Sequence, residues 1–252
     1  AEELIEGELS RMGYRVRKQV FRADGRECAN LEVRLEGKQE EVLVVGAHYD
    51  TAPGTPGADD NASGVASLLA IAEALKGKKF RREVRLVFFT NEEPPYFQTD
   101  LMGSLVYARS LKVKVHGMVS LESIGYYTQE PDSQRYPYFF FRFLYPTVGN
   151  FIGFVGNLKS KGFLERAFRY FREGTDFPAE KGAVPGWIPG AGWSDHWSFW
   201  RIGAPAIMVT DTAPFRNPYY HTPLDTPDKL DFEALSRVTR GLVHMVVRLA
   251  ND

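Results

Sequence analysis

Two short, uninterrupted apolar runs constrain the fold more than any other feature of this sequence. Residues 42–45 read Val-Leu-Val-Val, and residues 84–89 read Val-Arg-Leu-Val-Phe-Phe with a single interruption. Such runs are typical of strands that are covered on both faces, as in parallel sheets. Between them, residues 62–75 carry apolar side chains at helical spacing. Strands that alternate with helices predict an α/β fold with a mixed, mostly parallel central sheet flanked by helices.

The rest of the chain extends this pattern. We expect a first helix over residues 1–12 and a hairpin formed by residues 14–21 and 29–35. Later strands are predicted at 117–121, 150–155 and 204–210, and later helices at 104–111, 164–172 and 232–249. Residues 127–150 are aromatic and contain prolines, which indicates an insertion or an edge strand. No linker or repeat interrupts the pattern, so residues 1–252 are predicted to form a single domain.

Composition excludes several classes of function. With 44% hydrophobic residues the chain can bury a substantial core. A net charge of −1 offers no general field for nucleic acid. Cys28 is the single cysteine, so no internal disulfide can form, and no apolar run approaches the roughly 20 residues of a membrane span. No signal peptide is visible, because the chain begins directly in helical sequence; this is compatible with prior removal of a targeting segment.

Acidic residues and histidines follow the predicted strands, where ligands bind in sheets of this class. Taken singly, each has an ordinary structural explanation, such as helix capping by an aspartate. Taken together, they supply the imidazole nitrogens and carboxylate oxygens that suit zinc. Five ligands are too many for one tetrahedral ion and predict two ions that share a carboxylate. The candidate ligands are His48, Asp59, Glu93, Glu122 and His221.

Seven motifs along the chain resemble those of the M28 family of metallopeptidases, the co-catalytic zinc aminopeptidases and their relatives. They lie at residues 46–50 (GAHYD), 57–64 (GADDNASG), 91–93 (NEE), 102–104 (MGS), 121–125 (LESIG), 194–196 (SDH) and 220–226 (YHTPLDT). The order and spacing of the motifs agree with the family over nearly the whole chain. The resemblance implies the family's fold, that of the zinc-dependent exopeptidases, with two zinc ions.

The resemblance also implies a role for each matching residue. Asp59 would bridge both ions, His48 and Glu122 would complete one site, and Glu93 and His221 would complete the other. Glu92 would act as general base and acid, Asp50 would orient His48, and Tyr220 would help to stabilise the oxyanion. A cis peptide bond is expected between Asp59 and Asp60. Many family members have aspartate where this chain has Glu122, which weakens the implication of strict aminopeptidase action, because this acid borders the pocket for the substrate's free amine.

The expected function is hydrolysis of N-terminal residues from peptides with a free N-terminus, by a metal-activated water and with an apolar side-chain preference. Residues 182–190, together with Trp193 and Trp197, would either line an apolar pocket or pack in the core. His116 and His244 are expected to be structural, and His196 to shape the pocket wall. The family resemblance further suggests export to the periplasm or the medium, and a monomer is compatible with the sequence.

Two alternatives use the same scaffold. A dipeptidase, a carboxypeptidase or a single-zinc glutaminyl cyclase would keep most of the motifs, although the cyclases lack the full two-metal pattern around residues 59–61. A non-catalytic relative would have lost ligands, whereas every ligand position here is filled and Glu92 is present.

Overall fold

The structure is a computed structural model that describes all residues, 1–252. Eight strands form one sheet in the order β1-β2-β4-β3-β5-β8-β6-β7. The strands are β1 (Arg17–Ala23), β2 (Arg26–Leu35), β3 (Gly37–His48), β4 (Phe80–Phe89), β5 (Val115–Glu122), β6 (Ile152–Gly156), β7 (Ala179–Ala183) and β8 (Ala206–Thr210). The helices are α1 (Glu2–Arg11), α2 (Gly64–Leu75), α3 (Gly103–Ser110), α4 (Lys161–Gly174), α5 (His196–Arg201), α6 (Ala213–Arg216) and α7 (Phe232–Leu249).

The centre of the sheet is parallel, as predicted. Strands β4, β3, β5 and β8 run in one direction, whereas β1, β2 and β6 introduce antiparallel pairs towards the two edges. Strand β7 pairs in parallel with β6 at the far edge. The predicted fold class, a mixed and mostly parallel sheet flanked by helices, is therefore confirmed.

Strand β3 shows why the middle strands are apolar throughout. Leu43 and Val45 on one face join the core that packs against α2 and α7, while Val42 and Val44 on the other face pack towards α3 and α5. Because both faces are covered, no position in this part of the strand is left to a polar side chain.

Near β6 the structure excludes one of the two alternatives for residues 127–150 and adds a strand that the sequence did not predict. Residues 127–150 form no strand; their one regular element is a short 3-10 turn, Phe139–Phe143. Strand β7 was missed, because its sequence Ala-Glu-Lys-Gly-Ala has neither β-branched residues nor alternating polarity. Its position next to β6 is set by pairing with that strand, which is information that local sequence does not contain.

The carboxyl ends of the parallel strands meet at one edge of the sheet. His48 ends β3, Glu122 ends β5, and Glu92 and Glu93 follow shortly after β4. The geometry of the sheet thus gathers residues that lie far apart in the sequence. No helix in the structure combines the length and the apolar character that crossing a membrane requires.

Candidate metal centre

Two groups of potential metal ligands lie side by side at this edge and share one residue. The first consists of His48, Asp60 and Glu122, and the second of Asp60, Glu93 and His221. In the first group, His48 Nε2 lies 3.2 Å from Asp60 Oδ1 and 3.3 Å from Glu122 Oε2. In the second, His221 Nε2 lies 2.9 Å from Asp60 Oδ2 and 3.2 Å from Glu93 Oε1. The two oxygens of Asp60 therefore face different histidines.

The shared carboxylate is Asp60 and not Asp59, which corrects the expectation drawn from the sequence. Asp59 turns the other way: its Oδ1 accepts a hydrogen bond from the Gly125 backbone N–H at 2.9 Å, and its Oδ2 accepts one from Asn217 Nδ2 at 2.7 Å. The cis peptide bond is likewise displaced by one residue, to Asp60–Asn61. Asp59 is thus a buried anchor for two neighbouring loops, and Asp60 faces the histidines.

Asn61 attaches this aspartate turn to the end of β5. Its Nδ2 donates to the carbonyl of Leu121 at 2.9 Å, and its Oδ1 accepts the backbone N–H groups of Ser123 and Gly64. Gly64 allows the close approach, because a Cβ atom there would lie 2.8 Å from the Leu121 carbonyl oxygen. The motif 57–64 therefore needs its asparagine and its last glycine to bring Asp60 next to Glu122.

Asp225 holds the same turn from the opposite side. Its two carboxylate oxygens accept the backbone N–H groups of Asp59 at 2.9 Å and of Asp60 at 3.2 Å. Asp225 belongs to the loop that also carries His221, four residues earlier. One loop therefore supplies a candidate ligand and fixes the backbone of the shared carboxylate.

Asp50 organises the other side of the centre. Its carboxylate accepts the backbone N–H groups of Glu92 at 3.2 Å and Glu93 at 3.1 Å, and its Oδ1 lies 3.6 Å from His48 Nδ1. The backbone carbonyl of Asp50 is closer to that nitrogen, at 3.0 Å. Donation from Nδ1–H to this carbonyl leaves the Nε2 lone pair of His48 directed at the ligand group, as metal-bound histidines require.

Ser194 contacts a candidate ligand, although the sequence assigned no role to it. Its hydroxyl donates to Glu122 Oε2 at 2.7 Å and lies 2.8 Å from the hydroxyl of Ser120. It therefore fixes the carboxylate that faces His48. The motif 194–196 was the available signal, but nothing in the sequence shows which of its residues reaches the centre.

The donor groups fit a pair of zinc ions. Zinc ligands about 2.0–2.1 Å from a tetrahedral ion lie about 3.3 Å from one another, and the four separations above are 2.9–3.3 Å. Three of the facing atoms, His48 Nε2, Asp60 Oδ1 and Glu93 Oε1, are buried without any hydrogen-bond partner. They are close together but poorly aligned for hydrogen bonds, which is the arrangement expected of atoms directed at a common cation.

Buried charge leads to the same assignment. The residues Asp60, Glu92, Glu93 and Glu122 are each at most 8% exposed. Their ion-pair partners are histidines only; no lysine or arginine reaches them. So many carboxylates in a poorly solvated site repel one another unless cations are bound between them.

Glu92 and Tyr220 lie beside the ligand groups without joining them. Glu92 Oε2 is 3.9 Å from His48 Nε2, and burial raises the pKa of Glu92 well above its ordinary value. The ring of Tyr220 stacks on that of His221 with their centroids 3.9 Å apart. Burial also raises the pKa of Tyr220, so its phenol keeps its proton at neutral pH.

An open cleft lies beside the centre and is lined by both Glu122 and Tyr220. Its walls are mostly apolar and come from residues 134–145 and 182–193. Trp193 lines the cleft and stacks near Phe215, with centroids 6.4 Å apart, whereas Trp197 is absent from the lining. Residues 134–145 form a wall of this cleft; they belong to the aromatic segment 127–150, which was expected as an insertion or an edge strand.

The remaining histidines lie outside the ligand groups. His196 Nε2 is 2.8 Å from the carbonyl oxygen of Ala191, and burial lowers the pKa of His196 to about 4, so the ring is neutral and donates this bond. His116 lies within 3.2 Å of Glu41, and His244 lies 3.5 Å from Glu173.

Comparison with known proteins identifies the family of this chain. The model of peptidase family M28 matches residues 30–246. The uncharacterized protein YfbL of Escherichia coli (strain K12) is 39% identical over 242 residues, which cover 93% of this chain and 75% of that protein.

Solved structures show the same fold. The LapA aminopeptidase of Legionella pneumophila superposes with a TM-score of 0.77 at 19% identity, covering 99% of this chain and 64% of that one. BSAP, a zinc aminopeptidase from Bacillus subtilis, gives a TM-score of 0.68 at 22% identity, covering 91% of this chain and 52% of that one. This chain thus spans between half and two thirds of the length of these two structures, and at such identities the likeness concerns the fold.

Proposed function

The chain belongs to peptidase family M28, and on that premise we propose that it is a two-zinc exopeptidase that releases N-terminal residues from peptides. The observation that carries the proposal is the pair of ligand groups that share Asp60. His48 and Glu122 would hold one zinc ion, and Glu93 and His221 would hold the other. Asp60 would contribute one oxygen to each.

Two zinc ions held in this way would lower the pKa of a water shared between them and polarise the scissile carbonyl. The protein supplies the remaining steps. Glu92 lies at the edge of the first ligand group, and burial, which raises its pKa, favours the uptake of a proton by this carboxylate. We propose that it accepts the proton of the attacking water and returns it to the departing amine.

Tyr220 and Asp50 support this chemistry. Because Tyr220 remains protonated and lines the cleft beside His221, its hydroxyl can donate to the oxygen that gains charge at the scissile carbonyl. Asp50 holds the backbone of Glu92 and Glu93 and, through its carbonyl, the ring of His48. These three side chains are thereby kept in fixed relative positions.

The apolar cleft supports a preference for substrates whose first side chain has an apolar portion. Phe141 and Ile188 are among the residues that line it, as is Glu122. A side chain that enters the cleft from a peptide held at the metal centre would exchange water for these apolar surfaces.

The test combines metal counting with substrate choice. Elemental analysis of the purified holoenzyme should give two zinc ions per chain, and aminoacyl-anilides with a free amine should be cleaved while their N-acetylated forms are not. Glu92→Gln should keep both metals and lose at least 10²–10⁴-fold in turnover, the usual contribution of proton transfer.

Other results would identify other functions. Cyclisation of N-terminal glutamine with one zinc per chain would select the cyclase instead. Full metal loading without hydrolysis of any peptide would select a non-catalytic protein, and near-normal turnover in Glu92→Gln would refute the assignment of that residue.

A further inference from the structure

A single row of residues crosses the sheet from the metal centre to its far edge. Glu122 of β5 pairs with Thr210 of β8, Thr210 pairs with Gly153 of β6, and Gly153 pairs with Glu180 of β7. Directly paired residues of neighbouring strands project from the same face of a sheet. All four residues line the cleft, so the row forms its floor.

Glu180 faces this cleft, whereas its neighbour in the sequence faces the opposite side. Lys181 lies over the ring of Phe168 and forms an ion pair with Glu165, both of which belong to α4. Since successive residues of a strand point to opposite faces, Glu180 points away from α4. The floor of the cleft therefore has a carboxylate at each end, Glu122 at the metal centre and Glu180 at the far edge.

The carboxylate of Glu180 has no partner in the protein. It takes part in none of the ion pairs or side-chain hydrogen bonds, although it is only partly exposed. Burial raises the pKa of Glu180, with Arg172 opposing that shift from a distance. Arg135, another charged residue of the cleft, is exposed and forms no ion pair with it. A cation delivered by a ligand would compensate this carboxylate.

The polar groups nearest to Glu180 are already engaged elsewhere. The hydroxyl of Tyr145 donates to the carbonyl of Lys181 at 3.2 Å, and that of Tyr136 donates to the carbonyl of Pro146. Both tyrosines line the cleft. Their rings thus present apolar and π surfaces, which accept the methylene stem of a long side chain and attract a cation at its tip.

The length of the row selects the ligand. Three steps between neighbouring strands separate Glu122 from Glu180 by about 14 Å. An extended lysine side chain places its ammonium roughly 6 Å from its Cα, at about 1.5 Å per bond. Polar contacts of about 3 Å at both ends and the side chains of the two glutamates account for the rest of this backbone separation, so a lysine or an arginine whose amino group lies at Glu122 can place its cation at Glu180. Leucine stops short of it.

We propose that Glu180 is a specificity-determining residue that favours peptides beginning with lysine or arginine. The inference rests on the proposed function, because it assumes that the N-terminal residue is bound with its amine at the metal centre. The apolar walls of the cleft would hold the aliphatic stem, and Glu180 would bind the cationic tip.

Lysyl and norleucyl anilides test this directly, since the two side chains have similar length and differ by the terminal charge. The zinc-loaded enzyme should favour the lysyl substrate at least 10-fold in kcat/KM. Glu180→Gln should lower the lysyl-to-norleucyl ratio about 10- to 100-fold, the factor expected for a hydrogen bond to a charged group. Cleavage of the norleucyl substrate by the variant reports whether it is folded and active.

Glu165→Gln is the matched control, because it neutralises a carboxylate on the other face of the same sheet edge, and its ratio should equal that of the wild type. Calorimetric binding of free lysine and norleucine to the same proteins gives a second readout that does not depend on turnover. Cleavage of norleucyl anilide without a lysyl preference, or an unchanged ratio in Glu180→Gln, would overturn the role of Glu180 and leave the proposed exopeptidase intact. Failure to cleave any free-amine substrate would overturn the proposed function, and this inference with it.

Discussion

Asparagine substitutions at the two adjacent aspartates distinguish the ligand from its neighbour. Asp60 and Asp59 are both buried, and asparagine has nearly the same size as aspartate at either position. Asp60→Asn and Asp59→Asn therefore differ only in the contacts of the carboxylate that is replaced. Asp60 offers one oxygen to each histidine, at 3.2 Å and 2.9 Å. Asp60→Asn therefore removes negative charge from both ligand groups and replaces one donor oxygen with an NH₂ group that cannot bind zinc.

The magnitudes follow from these contacts. Removing one partner from a buried set of opposite charges costs about 3–5 kcal/mol, which corresponds to roughly 10²–10³·⁵-fold weaker zinc binding at about 1.4 kcal/mol per tenfold. Asp59→Asn keeps an oxygen that accepts the Gly125 N–H. Its new NH₂ group, however, faces the NH₂ group of Asn217, which donates to Asp59 in the wild type. This substitution leaves the candidate ligands in place and disturbs only the residues that position them, for which a loss of about 10–100-fold in metal affinity is typical.

The assay is elemental analysis after dialysis against a graded zinc chelator, with apparent affinities from competition titration. Asp60→Asn should retain at most one zinc at chelator levels where Asp59→Asn still retains two. Thermal unfolding with and without added zinc provides the folding control. Two tightly bound ions in Asp60→Asn, together with their loss from Asp59→Asn, would show that Asp59 is the shared ligand and that the reasoning from the structure is wrong.

Three further changes have defined outcomes. Asp225→Asn should weaken zinc binding about 10–100-fold, because one backbone N–H of the aspartate turn loses its acceptor; unchanged affinity in competition titration would refute this. Ser194→Ala should weaken binding at the Glu122 group by a similar factor while the protein still unfolds cooperatively, since the hydroxyl that fixes that carboxylate is lost. His196 is neutral in the folded protein, with its pKa lowered to about 4 from 6.5, whereas the unfolded chain takes up a proton below pH 6.5. The contribution of His196 to the free energy of unfolding is therefore complete above pH 6.5, and it falls by about 3 kcal/mol as the pH drops to 4. Urea unfolding of wild type and His196→Gln in the same metal state should show this difference, and parallel pH profiles would contradict it.

Several elements were predictable because their signal is local. Continuous apolar runs predict the middle strands. Helical periodicity predicts α7 over residues 232–249, which agrees with its observed extent. By contrast, β7 carries no such signal, and only its pairing with β6 makes it a strand. The aromatic content of residues 127–150 suggested an insertion or an edge strand; the structure has no strand there, and residues 134–145 form a wall of the cleft.

By itself the sequence predicted which kinds of donor group gather at the candidate centre, since histidines and carboxylates follow several of its apolar strands. It could not determine which of two neighbouring aspartates faces the histidines, because Asp59 and Asp60 are chemically identical and differ only in the direction that the backbone gives them. The same holds for the contact of Ser194 and for the role proposed for Glu180, because both depend on residues far away in the chain. The identity of each side chain is known from the sequence, whereas the direction in which it points and its distance from other residues are set by pairing and packing across the sheet.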